Sequence, residues 1–335
     1  MPVTIKDVAR ESGVNISTVS RALNDEYGVH PETRELVISV ANRLKYRPNR
    51  VARGLVTGRS NSLALIISDI RNPFFAEVAR GAEDAARDRG CDLVLCNSDL
   101  DSRKQMQYVY SLMEKRIDGI LMNTVTAMSR AQQQELAKCN MPVVLLNRAA
   151  SPRSFSSVCA DNEEGGAIAA RYLLKLGHRE IGHITGPRDH GNLTARARGF
   201  LKVFNAGPKT ADPIVLHGEN SFQGGYDLAY KLLKEHPAIT AIFSGNDVMA
   251  FGATRAIYET GRKIPDDVSL VGFDNVELSQ VIHPPLTTIH QPKYEIGRAA
   301  VEILLRMAGK ESDRTPEHRV LGVELRERQS CRSIN

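Results

Sequence analysis

The sequence predicts an α/β protein made of a small N-terminal helix-turn-helix head followed by two doubly wound parallel-sheet lobes. Three observations carry this expectation. Residues 4–24 read as two short helices joined by a tight glycine turn. From residue 60 onward, strand-like apolar runs alternate with amphipathic segments, the rhythm of parallel β-α units. At 335 residues with 42% hydrophobic side chains, the chain exceeds one small unit and can fill more than one core.

In the head, Thr4 can accept a hydrogen bond from the exposed amides of a first helix. Asp7, three residues on, makes a variant of the capping box and suits the positive helix end. Ile5, Val8 and Ala9 form one apolar face at helical spacing. Gly13 ends that helix, and Asn15 or Ser17 can cap a second one with a buried stripe of Val19, Ala22 and Leu23. Its outward face is then Ile16, Ser17, Thr18, Ser20 and Arg21. Small hydroxyls allow close approach to a DNA major groove, and an arginine can pair bidentately with guanine. Polar surface helices of ordinary domains have similar faces. A third helix opening with Pro31 at its first position, then Glu32 and the apolar Leu36, Val37, Val40 and Leu44, makes a compact three-helix unit and favours the DNA reading.

Charge placement points the same way. Residues 1–59 hold ten Lys and Arg against six Asp and Glu, so four of the chain's five net positive charges lie there. Between Glu35 and Asp69 there is no acid, while Arg43, Lys45, Arg47, Arg50, Arg53 and Arg59 fall inside the gap. Beside a helix-turn-helix, such a run reads as a phosphate-contacting element.

In the body, strands are expected at 63–68, 92–97, 119–123 and 143–147, with helices beginning near Phe74, Ser102 and Ser129. The rhythm repeats with strands at 181–186, 214–218, 241–245 and 268–274 and helices from about Leu193, Phe222, Asp247 and Lys293. A last strand-like run, 319–328, closes the body. Two such sheets imply two lobes with a ligand cleft at the carboxyl ends of their strands.

Several function classes are disfavoured. No apolar run approaches the ~20 residues of a membrane span, and the polar, acid-bearing N-terminus lacks the apolar core of a signal peptide, so a cytoplasmic protein is expected. The five cysteines (Cys91, Cys96, Cys139, Cys159 and Cys331) are odd in number and lack Cys-x-x-Cys spacing, indicating neither a disulfide frame nor a zinc site. There is no dinucleotide-binding Gly-x-Gly-x-x-Gly after the first strand, no phosphate-binding loop, no Gly-x-Ser-x-Gly and no His-Glu-x-x-His. An α/β sugar-modifying enzyme is therefore the weaker reading, and neither cofactor nor metal is expected.

Particular motifs carry a resemblance. Thr4-Ile5-Lys6-Asp7-Val8-Ala9, Thr18-Val19-Ser20-Arg21, Tyr46-Arg47-Pro48-Asn49 through Val51-Ala52-Arg53-Gly54-Leu55, Lys115-Arg116-Ile117-Asp118-Gly119, Gly177-His178-Arg179, Gly245-Asn246-Asp247, Val271-Gly272-Phe273-Asp274 and Pro285-Leu286-Thr287-Thr288-Ile289 occur in this order. With them the chain resembles the lac-repressor/gal-repressor (LacI/GalR) family of bacterial transcription regulators over essentially its full length, in particular sugar-responsive members similar to ribose repressors. The expected organisation is a DNA-binding domain at 1–48, a hinge helix and linker at 49–59, and an effector-binding and dimerisation body at 60–335 of periplasmic-binding-protein type. Within the body, lobe 1 takes about 60–161 and 291–320, and lobe 2 about 162–290 and 321–335.

The resemblance implies roles residue by residue. Residues 49–57 form a hinge helix on the operator, with Leu55 levering into the central minor-groove base step; Gly54 disfavours so short a helix by ~1 kcal/mol, so DNA and a partner hinge must complete its folding. Ile16, Ser17 and Arg21 occupy specificity positions, whereas Ser20, Asn24 and Asn49 are placed as phosphate contacts. Thr4, Thr18, Arg50, Ala52 and Arg53 complete the expected DNA-binding set. The effector set is Asn72, Phe74, Phe75, Asn147, Arg148, Arg196, Phe222, Asn246, Asp274 and Gln291. Aromatic faces suit the C–H side of a sugar ring, and amides, carboxylates and guanidinium forks suit its hydroxyls. Strand-end Asn and Asp residues also commonly just cap helices, but the convergence of six polar residues, Asn147, Arg148, Arg196, Asn246, Asp274 and Gln291, is harder to dismiss.

One departure is that many relatives carry Asp where this chain has Asn147. With Arg148, Arg196 and Arg188 or His190 nearby, the pocket suits a sugar acid or phosphorylated sugar as well as a neutral pentose or hexose. A purine or phosphorylated metabolite acting as corepressor is the alternative effector. The implied mechanism is two-state: a homodimer binds a pseudo-palindromic operator with both hinges folded, and an effector in the cleft reorients the lobes and thereby releases or recruits the protein. The tail after Glu327 is short and polar and offers no leucine heptad for a tetramer.

Overall fold

In a computed structural model, the structure describes residues 3–25, 27–47, 59–123, 129–138, 141–147, 155–206, 213–309 and 315–334. The chain forms two compact units, Met1–Ser60 and Asn61–Asn335.

The first unit holds helices α1 (Ile5–Ser12), α2 (Ile16–Leu23) and α3 (Pro31–Arg43). Asp7 accepts from the Thr4 backbone N–H at 2.9 Å and from the Thr4 hydroxyl at 2.7 Å. Thr4 and Asp7 thus form the expected capping box, with the Thr4 hydroxyl also in reach of the Asp7 carboxylate, and α1 is anchored at its start. Gly13 takes the left-handed conformation, φ 69°, and turns the chain into α2. Val8, Ala9, Val19, Ala22, Val37, Val40 and Ala41 form the core. Leu36 is 49% exposed, against expectation, because the buried stripe of α3 runs through positions 37, 40, 41 and 44 and residue 36 lies about 100° off it.

The second unit holds two six-stranded sheets. Strands β1 (Ser62–Ile67), β2 (Asp92–Asn97), β3 (Gly119–Asn123), β4 (Val143–Leu146), β5 (Ser156–Ala160) and β11 (His318–Leu321) build the first, in the order β11-β5-β4-β3-β1-β2. Strands β6 (Ile181–Thr185), β7 (Ile214–His217), β8 (Ala241–Ser244), β9 (Ser269–Asp274), β10 (Thr287–His290) and β12 (Glu324–Arg326) build the second, in the order β12-β10-β9-β8-β6-β7. All pairings are parallel except β10 with β12.

Helices cover both faces of each sheet, which is why the central strands read as unbroken apolar runs. Along β1, Leu63, Leu65 and Ile67 enter one core while Ala64 and Ile66 enter the other. Around the first sheet lie α4 (Phe74–Arg87), α5 (Ser102–Glu114), α6 (Arg130–Lys138) and α12 (Lys293–Met307); α7 (Asn162–Lys175), α8 (Gly191–Ala206), α9 (Phe222–Glu235), α10 (Asp247–Glu259) and the short α11 (Leu278–Val281) accompany the second. α4 and α12 pack backbone to backbone: a Cβ on Gly81 would stand 2.0 Å from the Tyr294 carbonyl oxygen, and one on Gly297 2.1 Å from that of Val78.

Two differences from the sequence reading are structural. β5 is small and polar in sequence, yet buried, because Ser157 Oγ bonds His318 Nδ1 at 3.0 Å and Ser156 Oγ accepts from the Glu317 amide at 3.1 Å. The single closing strand expected at 319–328 is two strands in different sheets, β11 beside β5 and β12 beside β10. The chain crosses between them at Gly322 and Val323, and Val323 packs against the cores of both sheets.

Candidate functional site

Two sets of residues were singled out by sequence, one in each unit. In the head, the outward side of α2 shows Ile16 at 44% exposure with Ser17 and Arg21 exposed and Thr18 and Ser20 half-buried. Arg21 makes no ion pair among the described residues, so its guanidinium is available to an outside partner. Asn24 is half-buried and donates to Ser20 Oγ at 3.4 Å. Thr4 is committed to Asp7, whose carboxyl it holds below the usual range, with Arg10 adding to the effect. Asn49, Arg50, Ala52, Arg53 and Leu55 lie outside the described residues.

In the body, a cavity of about 470 Å3 opens between the carboxyl ends of the two sheets. Each wall follows from a strand end. After β1 come Ser68, Asp69, Arg71 and Asn72, then Phe74 and Phe75 in the first turn of α4. Asn123 ends β3, and Asn147 follows β4 with φ 54°. The second sheet supplies His190, Asn192, Leu193 and Arg196 after β6, Glu219 to Gln223 after β7, Asn246 and Val248 after β8, and Asp274 at the end of β9. Asp274 has φ 117°, a backbone conformation that side-chain-bearing residues rarely hold and that clusters at binding sites.

The floor of the cavity is a buried charge network. Arg196, 2% exposed, donates through Nε to Asn162 Oδ1 at 2.9 Å and through Nη1 to the Gly245 carbonyl at 2.6 Å. Nη1 also stands 3.5 Å from Asp274 Oδ1, and the guanidinium lies 3.6 Å over the Phe273 ring. Burial pushes Arg196 down to about 10, with Asp274 and Asp247 opposing, so it stays charged near neutral pH. Burial raises the Asp274 carboxyl while Arg196, Lys293 and Gln291 pull it back. Behind them Asp247, raised by burial and by Asp274, accepts from Thr288 Oγ1 at 2.6 Å and the Val276 amide at 2.9 Å. Lys293 Nζ donates to the carbonyls of Asp274 (2.7 Å) and Asn275 (2.9 Å).

Of the ten residues expected at the effector site, Asn72, Phe74, Phe75, Asn147, Arg196, Phe222, Asn246 and Asp274 are brought together at the cavity. Arg148 lies outside the described residues. Gln291 is fully buried behind the wall, where Nε2 donates to Asp274 Oδ1 at 2.5 Å; it orients a lining residue and is not itself in the lining. Arg188 lines a separate depression with Arg198 and Lys202, whereas His190 does line the cavity and is held neutral by burial. Among the described residues no hydrogen-bond partner reaches Asn147 Oδ1, a buried acceptor on a residue that lines the cavity.

The described lining, from which Arg148 is absent, holds more acids than the sequence reading named. Asp69 and Glu219, missed in the sequence reading, bring the described lining to three carboxylates against two guanidiniums. Both sit directly after strands that had been identified, so the rule that found Asn246 would have found them. Among the described residues no His, Cys, Asp and Glu cluster could hold a metal, and no helix is long and apolar enough to cross a membrane.

Known proteins resemble this arrangement along the whole chain. Residues 4–49 match the family model described as bacterial regulatory proteins, lacI family, and residues 60–322 match periplasmic binding proteins and sugar binding domain of LacI family. Catabolite control protein A of Priestia megaterium is 36% identical over 314 residues, covering 93% of this chain and 94% of its own. The ribose operon repressor of Halalkalibacterium halodurans is 36% identical over 307 residues, 92% and 91% of the two chains. The lac repressor dimer bound to operator and the anti-inducer ONPF superposes with a TM-score of 0.88 at 29% identity, covering 98% of this chain and 99% of that one. A three-helix DNA-reading head, a two-lobed body with a polar cleft, and likeness over nearly the full length of these regulators together place this chain in the LacI family of bacterial regulatory proteins.

Proposed function

We propose that the protein is a cytoplasmic transcriptional repressor, without catalytic activity, whose operator affinity is set by a small sugar or sugar derivative held in the interlobe cleft. The observation that carries the reading is the convergence of Arg196, Asp274, Asn147 and Asn246 on one cavity beside Phe74 and Phe75. Amide, carboxylate and guanidinium groups next to aromatic surface suit a polyhydroxylated ring. The organisation proposed is DNA reading by 1–48, a hinge at 49–59 and effector binding by 60–335. Ile16, Ser17 and Arg21 read bases, with Thr4, Thr18, Ser20, Asn24 and Asn49 positioning the backbone and Arg50, Ala52, Arg53 and Leu55 engaging the minor groove.

A homodimer is required to engage two half-sites, and the effector changes operator affinity through its different affinity for two lobe arrangements. The ribose operon repressor and the operator-bound lac repressor dimer support both parts. The test joins the two ends. Genomic DNA fragments selected on the purified protein are titrated with and without sugars, sugar phosphates and hypoxanthine. Operator affinity should fall steeply with salt and move several-fold with one saccharide. A nucleobase as the only active compound refutes the sugar reading, and an absence of sequence-selective DNA binding refutes the whole.

A further inference from the structure

The charged side chains lining the cavity sort into pairs with one left over. Asp69 holds Arg71 by two contacts of 3.0 Å, from Nε and Nη2. Asp274 faces Arg196. Glu219, just past β7, makes no side-chain hydrogen bond or ion pair among the described residues; its charge reaches Arg71 only after those of Asp69 and Asp99. The uncompensated charge of the described lining is therefore a single negative one.

Three of the helices that open on the cleft spend one first-turn amide on a side chain of its wall. Helices opening on a cleft offer free amides to phosphate or carboxylate. Here Asn72 Oδ1 accepts from the Phe74 amide at 2.9 Å, Ser221 Oγ from that of Gly224 at 3.0 Å, and Asn246 Oδ1 from that of Met249 at 2.8 Å. The three helices are α4, α9 and α10. Among the described residues Asn147 Oδ1 is a buried acceptor with no partner, which suits a hydroxyl or amine donor.

We propose that Glu219 determines effector specificity by charge: the cleft admits uncharged or amino saccharides and rejects sugar phosphates and sugar acids. The inference rests on the saccharide reading above and adds the charge class and the residue that enforces it. A carboxylate at a water-filled mouth acts over roughly a Debye length, about 10 Å at 0.1 M salt and about 3 Å at 1 M. Discrimination by this route is therefore sensitive to salt, whereas discrimination by shape is not.

The experiment measures calorimetric binding of D-ribose, D-glucose and cellobiose beside ribose 5-phosphate, glucose 6-phosphate and D-glucuronate to the full-length protein. At low salt the best neutral sugar should bind at least roughly ten-fold tighter than its anionic counterpart, and the ratio should shrink as salt rises. Glu219→Gln should shrink it at low salt, and its unliganded melting temperature reports that the fold is kept. An anionic sugar bound as tightly as its neutral partner overturns the charge filter while leaving the saccharide reading in place. A neutral preference that neither salt nor Glu219→Gln alters overturns the role of Glu219. Absence of binding by every saccharide tested overturns the underlying reading, and the filter with it.

Discussion

Arg196 Nη1 lies 3.5 Å from Asp274 Oδ1, joining α8 to the end of β9 with both side chains almost sealed from solvent. The pair is at once a structural joint of the second lobe and part of the floor of the ligand cavity. Breaking a buried pair from one side leaves the other charge uncompensated, which costs about 3–5 kcal/mol. Arg196→Ala should lower the unfolding free energy of the body, read from urea denaturation, by that amount. Asp274→Asn keeps the shape and the Gln291 neighbour, so it should cost less stability yet abolish saccharide binding. Equal stability of Arg196→Ala and the parent protein would contradict the joint.

Operator recognition gives the second prediction. Arg21 is exposed on α2 and outside the head core, so Arg21→Ala should leave the melting temperature unchanged. Loss of a bidentate base contact should weaken operator binding by about 1–3 kcal/mol and relax specificity at one position per half-site. Fluorescence anisotropy on operator and single-substitution DNA reads both. A uniform loss across all sequences would make Arg21 a phosphate contact.

Leu55→Ala separates the two ends of the protein. Calorimetric saccharide binding should be unaltered, while operator affinity drops because the apolar wedge of the proposed hinge is gone. Unchanged operator affinity would remove Leu55 from that role.

A pH dependence follows from His183. Its ring stacks on Phe243 at 4.6 Å and leans on Phe200 at 5.2 Å, and Nδ1 bonds the Phe243 carbonyl. Burial, opposed by that hydrogen bond, pushes it down from 6.5 to about 4. The folded state keeps the ring neutral, whereas the unfolded chain takes up a proton below about pH 6.5. Stability is therefore complete above about pH 6.5 and lost as pH falls toward 4, by up to about 3 kcal/mol from this residue. His178, also lowered by burial, acts in the same direction. Chemical denaturation at stepped pH should show the decline, and His183→Phe should flatten it; an unchanged slope would assign the effect elsewhere.

Close backbone packing in the first lobe gives a steric prediction. Because a Cβ on Gly81 meets the Tyr294 carbonyl at 2.0 Å, Gly81→Ala must force α4 and α12 apart despite alanine's better helix propensity. A destabilisation of about 1–3 kcal/mol is expected by chemical denaturation. A stabilised variant would mean the helices yield freely.

Much of the fold was legible because it is local. β2 and β3 lie where alternating apolar runs place them, and α9, α10 and α12 begin at Phe222, Asp247 and Lys293 as the periodicity indicates. β5 was not legible: Ser156 and Ser157 become strand residues only through partners near residue 318. The division of the last strand-like run was hidden for a similar reason, since β11 and β12 are defined by β5 and β10 and not by their own residues. At the cavity, strand-end polar residues could be named from sequence, but Gln291 could not be told from a lining residue without its contact to Asp274.

Sequence alone determined the three-helix head, the alternation of strands and helices and the strand ends at which a ligand can be met, because these depend on periodicity and on capping residues a few positions apart. The sign of the cleft was a tertiary decision. Asn147 and the nearby arginines left a sugar acid and a neutral sugar both open; among the described residues Arg196 is matched by Asp274, Arg71 by Asp69, and Glu219 is left over. Charges far apart in the chain cancel or remain according to which of them folding brings within contact, and Coulomb interactions depend on that distance and not on separation in sequence.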